Sequence, residues 1–259
     1  MSLKSLEIRY QSAQSVPPPY SNFYTMIGRT DPSGGLAVAF SITYTDRDEI
    51  DEDEIIGEGF TGDDDYAWTG TLPGAWQRPL EDLIGKTRLR PFDEDRLGTN
   101  DDYFQVTIEM EGKAVETGSP ARQEDWIYLA QELIQAVYEA SGKEKPFEMT
   151  YLEKRGSQRS ETRLTAWFSK REAQLQVRQG ERNQSDTLSW AELRSLMEIV
   201  YAVDYDPDSA LPGPPKQDGQ FLNLGTEEWF DLSAQALGND GPATRLRQTL
   251  KRLATAPDS

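Results

Sequence analysis

The chain opens with a strict alternation of apolar and polar residues. In LEIRY, Leu6, Ile8 and Tyr10 fall on one side of an extended strand, with Glu7 and Arg9 on the other. SVPPPYSNFYTMIG starts extended at its prolines and becomes a second strand from about Phe23 to Ile27. The turn signal DPSGG follows. LAVAFSITY then places Leu36, Val38, Phe40, Ile42 and Tyr44 on one face, and Ala37, Ala39, Ser41 and Thr43 on the other. A second face made only of small residues predicts a closely packed cover there, and a helix is the expected one.

DYAWTGTL predicts a further strand, and AWQRPLEDLIG a short helix bounded by Pro79 and Gly85. DDYFQVTIEMEGKAVETG predicts a strand with Phe104, Val106, Ile108 and Met110 inward, a turn at Gly112 and a return strand. The clearest helix follows, with Ser119 as its cap and Pro120 at its first position. Trp126, Leu129, Leu133, Val137 and Ala140 recur along it at helical spacing, and Gly142 and Pro146 stop it. FEMTYLEKR, TRLTAWFSK and AQLQVRQG predict three antiparallel strands, and SWAELRSLMEIVYAV a helix with a capping box from Ser189 to Glu192.

Trp126 and Trp190 each open a helix that follows a hairpin, and each has a leucine three residues on (Leu129, Leu193). The expected fold is therefore α+β: antiparallel β-sheet units each packed by one amphipathic helix, with an internal duplication and a helical C-terminal tail. The expected organisation is an N-terminal α+β unit over 1–142 and a βββα unit over 143–205. A proline-rich linker over 206–220 and a helical tail over 221–259 complete it. Within the tail, TEEWFDLSAQALG reads as a helix capped by Thr226.

Composition then narrows the chemistry. The 259 residues include no His and no Cys, which excludes Ser-His-Asp and Cys-His catalysis, disulfides, and metal sites built on imidazole or thiolate. No glycine-rich phosphate loop is present. A mean hydropathy of −0.70 is low, yet six Trp, eleven Tyr and nine Phe require a folded chain. The N-terminus has no hydrophobic signal region and no apolar run reaches membrane-spanning length, so a cytoplasmic protein without membrane contact is expected. With a net charge of −18 the main body repels nucleic acid and favours basic proteins.

The charge is concentrated. Residues 45–70 hold eleven carboxylates and one arginine. Calcium-loop spacing fails from each candidate start: Ile50 follows Asp46 and Asp48, Ile55 follows Asp51 and Asp53, and Ala67 follows Asp63 and Asp65. No cofactor is implied, and no metal ligand set can be named. Acidic residues interleaved with Ile50, Ile55, Ile56 and Phe60 suit a segment that docks on a basic partner through apolar anchors. The candidate partner-binding residues are Asp48, Asp51, Glu52, Asp53, Glu54, Ile55, Phe60, Asp63, Asp64 and Asp65. The competing reading is a solvated loop whose isoleucines tuck against the sheet.

Three lesser features remain. Glu109 and Glu111 share the outward face of one strand at about 7 Å, a glycosidase-like separation on a face too polar for a general acid. PPPY at 17–20 fits a polyproline-recognition pattern of low specificity. At the C-terminus, residues 239–259 carry four basic and two acidic residues, against a net −20 for residues 1–238. Leu246 and Leu250 form an apolar stripe there, flanked by Arg245, Arg247, Lys251 and Arg252, and the expected role is docking onto the chain's own acidic body. Taken together, the sequence favours a non-catalytic adaptor, assembly factor or inhibitor of a basic protein. The alternatives are a carboxylate- and divalent-metal-dependent enzyme, or an immunity-type inhibitor of a basic toxin.

Overall fold

A computed structural model describes residues 2–238 and 241–255, and the chain divides into two compact units, residues 1–144 and 145–259. The first runs β1 (Leu3–Gln11), β2 (Asn22–Thr30), β3 (Leu36–Tyr44), α1 (Glu52–Gly57), β4 (Tyr66–Leu72), α2 (Gln77–Lys86), β5 (Leu89–Arg90), β6 (Tyr103–Met110), β7 (Glu116–Pro120) and α3 (Glu124–Ala140). The second runs β8 (Phe147–Arg155), β9 (Gln158–Trp167), β10 (Glu172–Gln179), β11 (Arg182–Leu188), α4 (Trp190–Tyr201), β12 (Leu211–Pro212), β13 (Gly219–Asn223), β14 (Glu228–Asp231), α5 (Ala234–Leu237) and α6 (Gly241–Ala254).

The fold is α+β with a duplicated sheet unit. The two sheets have seven strands each, in the orders β4-β3-β2-β1-β6-β7-β5 and β11-β10-β9-β8-β13-β14-β12. These are one topology written twice: a four-strand meander, a helix, a two-residue strand at the far edge, a hairpin beside the first strand, and a closing helix. The strand order makes α2 the counterpart of α4, and α3 the counterpart of α6. Trp126 and Trp190 therefore do not correspond. The true counterpart of Trp190 is Trp76, and the shared stretch is TLPGAW against TLSW at the end of the fourth strand.

Alternation in the strands produces the core of each unit. In the first sheet Leu6, Ile8, Met26, Val38, Phe40 and Val106 are buried together with Trp76 and Leu80 near α2 and Trp126, Leu129 and Leu133 of α3. The Trp126 indole donates to Thr87 Oγ1 at 2.8 Å, and that hydroxyl donates to Leu83 O, which ties α3 to the end of α2. The small-residue face of β3 is only partly covered, with Ala37, Ala39 and Thr43 half-buried. Ser41 is exposed, as are Ala67, Thr69 and Thr71 on neighbouring β4. In the second unit α4 and α6 bury Leu193, Leu196, Val200, Leu246 and Leu250 against Met149, Leu164 and Leu175. The capping box is present: Ser189 Oγ accepts from Glu192 N, and Glu192 Oε2 accepts from Ser189 N at 2.8 Å.

Three sequence expectations are corrected. Ser119 and Pro120 pair with Arg90 and Leu89 at the sheet rim, so α3 starts later, after Gln123. TEEWFD is a turn and a strand, not a helix. Asn223 Nδ2 donates to the Thr226 and Glu228 carbonyls at 2.7 Å, fixing the turn, and only α5 is helical there. The segments expected as linker and tail supply β12, β13 and β14 to the second sheet.

Candidate functional site

The acidic segment leaves β3 at Tyr44 and returns at β4, and its shape is set by its only base. Asp46 turns the chain in the left-handed region (φ 60°), which Asp tolerates better than most residues. This puts Arg47 inward, with its side chain only 10% exposed. Its Nη1 donates to Asp64 Oδ2 at 2.6 Å and to the Thr61 carbonyl, and its Nη2 donates to the Pro19 carbonyl at 3.4 Å. The guanidinium lies 4.0 Å from the Tyr44 ring centroid and 5.0 Å from that of Phe60. Phe60 also meets Tyr20 and Tyr44 edge-on, and the Tyr20 hydroxyl donates to Glu58.

Asp64 closes the turn by accepting from Thr61 N at 2.8 Å and from Thr61 Oγ1 at 2.6 Å. Burial would raise its pKa, but the hydrogen bonds from Thr61 and then Arg47 outweigh that and hold the carboxyl below its ordinary value. Asp65 accepts the Tyr44 amide at 2.8 Å.

The ten candidate residues thus divide into two sets. Ile55 (5% exposed), Phe60, Asp64 and Asp65 are framework, engaged within the segment or against β3. Asp48, Asp51, Glu52, Asp53, Glu54 and Asp63 are exposed, and among the described residues none of them forms an ion pair. The apolar group available to a partner is Ile56 (57% exposed), with Tyr20 (44%) beside the same frame. Sequence reasoning missed Arg47, Tyr20 and Tyr44 as the parts that hold the segment. The usable signal was the single base among eleven acids, which needs an internal partner when it is not solvated.

Comparison with protein-family models, with curated proteins and with solved structures finds no match for this chain. Among the described residues no three carboxylates converge as a metal-ligand group, and no helix is long and apolar enough to cross a membrane. Glu109 and Glu111 point to solvent. Lys4 donates to Glu109 at 2.6 Å and holds its pKa down, the opposite of what a general acid needs, while Ser2 donates to Glu111. On α6, Leu246 and Leu250 are fully buried in the second unit's own core. Arg247 donates to the Leu232 and Gly238 carbonyls at 3.1 and 3.0 Å, while Arg245, Lys251 and Arg252 are exposed.

Proposed function

We propose that this chain is a non-catalytic acidic binding protein, an adaptor, assembly factor or inhibitor whose partner is a basic protein. One observation carries the reading. Six exposed candidate carboxylates, without cation partners among the described residues, are displayed on a segment held by an internal arginine–aromatic frame, beside exposed Ile56 and Tyr20. A loop serving solubility alone has no need of that frame, since mobility costs a solvated loop nothing. A held array of like charge raises association rates with an opposite surface, and an adjoining apolar side chain supplies the slow dissociation. The basic toxin of an immunity-type pair is one partner of this chemistry.

The test is retention of host proteins on the immobilised full chain at low and at high salt. The expected result is a basic protein that is released by salt and lost when Asp51, Glu52, Asp53 and Glu54 are replaced by Asn and Gln. Retention unaffected by these replacements would overturn the assignment of the surface.

A further inference from the structure

The outer strand of the first sheet is left open in a way that its counterpart in the second is not. At the end of β3, Tyr44 N donates toward β4, to Asp65, while Thr45 N donates to Ser21 O on the β2 side. These two bonds fix the phase of the ladder, because the amide and carbonyl of one residue point the same way in antiparallel strands. Leu36, Val38, Phe40 and Ile42 therefore exchange bonds with Leu72, Gly70, Trp68 and Tyr66. The amides and carbonyls of Ala67, Thr69 and Thr71 point away from the sheet. Among the described residues none of these six groups has a hydrogen-bond partner.

The duplicated unit supplies the contrast. Its outer strand, β11, guards its edge with exposed Arg182 and Asp186, and the Asp186 carboxylate accepts the Thr187 amide at 2.7 Å. β4 has neither a charge nor a proline along its seven residues. The far edges of the two sheets, β5 and β12, have two residues each and are too short to pair with much. β4 is thus the edge best fitted to accept a further strand, since unpaired main-chain groups supply affinity to any extended chain that meets them.

We infer that β4 takes up an extended basic segment of the partner protein as an eighth, antiparallel strand of the first sheet. This rests on the basic-protein reading above and adds how that partner docks. Asp63 and Asp65, both exposed, stand at the start of β4, and Lys143, over the Tyr66 ring at 4.1 Å, offsets one charge there. An antiparallel strand brings its C-terminal end to these carboxylates, so lysines and arginines follow the extended stretch in the partner. Within that stretch, alternate side chains come beside half-buried Tyr66 and Trp68, which suits β-branched residues. The others continue the exposed face of Ala67, Thr69 and Thr71. A second copy of this chain, itself at −18, is the disfavoured occupant.

The test is a titration of the ¹⁵N-labelled full chain with the peptide acetyl-Thr-Val-Thr-Val-Thr-Lys-Arg-Lys-amide, followed by amide shifts and hydrogen exchange. The expected result is saturable shifts and slowed exchange at Ala67, Thr69 and Thr71. Methylating alternate nitrogens of the extended stretch weakens binding about tenfold in one phase and leaves it unchanged in the other, because only one set faces β4. Thr69→Pro removes an outward amide that no ladder bond uses, and weakens binding by a similar factor. Binding that never saturates, that ignores methylation in both phases, or that spares residues 67–71 would overturn the inference. So would a dimer of the chain that Thr69→Pro dissociates, since a second copy would then hold the edge. A separate arm tests the underlying reading: replacing Asp51, Glu52, Asp53, Glu54 and Asp63 by their amides should weaken binding and flatten its salt dependence. Binding lost in that arm but indifferent to methylation leaves the acidic surface standing without β4. Binding sensitive to methylation but unchanged by the amides keeps the edge and removes the role of the charge.

Discussion

Arg47→Ala should free the acidic segment while leaving the sheet intact. Removing one member of a largely buried ion pair costs about 3–5 kcal/mol, because the remaining charge loses its partner. Asp64 keeps 27% exposure, so the lower part of that range applies. Loss of the cation–π contact with Tyr44 adds about 1 kcal/mol. Against this, the buried Arg47 Nε has no hydrogen-bond partner among the described residues, and its removal relieves a penalty of about 1 kcal/mol. The net effect is about 3–4 kcal/mol, and it is local, so amide exchange over residues 46–65 should accelerate between about a hundredfold and a thousandfold. Exchange in β1 and β2 should not change.

The effect also has a pH signature. The folded pKa of Asp64 lies below its ordinary value of 3.8, so its contribution is complete above 3.8 and is lost as pH falls through the lowered value. Protection of the wild-type segment should therefore fall away in acid, and the variant should show a flatter profile. Unchanged exchange in Arg47→Ala would refute the reasoning. So would a coupling below about 0.5 kcal/mol in the double-mutant cycle with Asp64→Ala.

Other expectations follow from the fold and the site. Trp76→Ala empties a fully buried position and should cost about 3–5 kcal/mol in urea denaturation, whereas replacing exposed Trp68 neighbours such as Thr69 by Ala should cost under about 0.5 kcal/mol. Ser189→Ala removes the capping box of α4 and should lower stability by about 1 kcal/mol at neutral pH. Because the Ser189 hydroxyl and amide hold the Glu192 pKa below 4.5, the difference from wild type should shrink as pH falls below that value. Replacing Asp51, Glu52, Asp53 and Glu54 by their amides should leave the melting temperature unchanged or slightly raised, since exposed like charges repel one another. A clear drop would show that these carboxylates have structural partners.

The parts of the fold legible in the sequence are those where local pattern and tertiary burial agree. LEIRY and LAVAFSITY alternate because one face of each meets a core, and the α4 cap was readable because all its partners lie within four residues. β11 was missed because Arg182–Thr187 is exposed on both faces, so backbone pairing with β10 holds it and side chains carry no period. β5 and β12 are two-residue edges with no pattern to read. β14 was mistaken for a helix because Trp229–Phe230 is a short apolar run, which periodicity alone cannot resolve. The duplication was legible but misaligned: Trp-x-x-Leu spacing linked α3 with α4, and only strand order shows that Trp76 is the counterpart. In the candidate site the charge was visible, but which acids are free was not. That division depends on Arg47 reaching Asp64 seventeen residues away.

The rim of the first sheet has a bearing on how copies of this protein behave in crowded solution. β4 is an outer strand whose seven residues carry no charge, whereas the outer strand of the second sheet carries Arg182 and Asp186. Among the described residues, no backbone partner beyond β3 meets its outward amides and carbonyls. Such a rim is a template for stacking chains edge to edge. Here the deterrent lies just upstream in sequence, where Asp63, Asp64 and Asp65 lead directly into the strand. Colloidal stability is thus delegated to a charge reservoir next to the vulnerable edge and not written into the edge itself. Acidification toward the isoelectric point near 4.4 removes the chain's net negative charge, and turbidity should then develop through β4 before the sheets unfold.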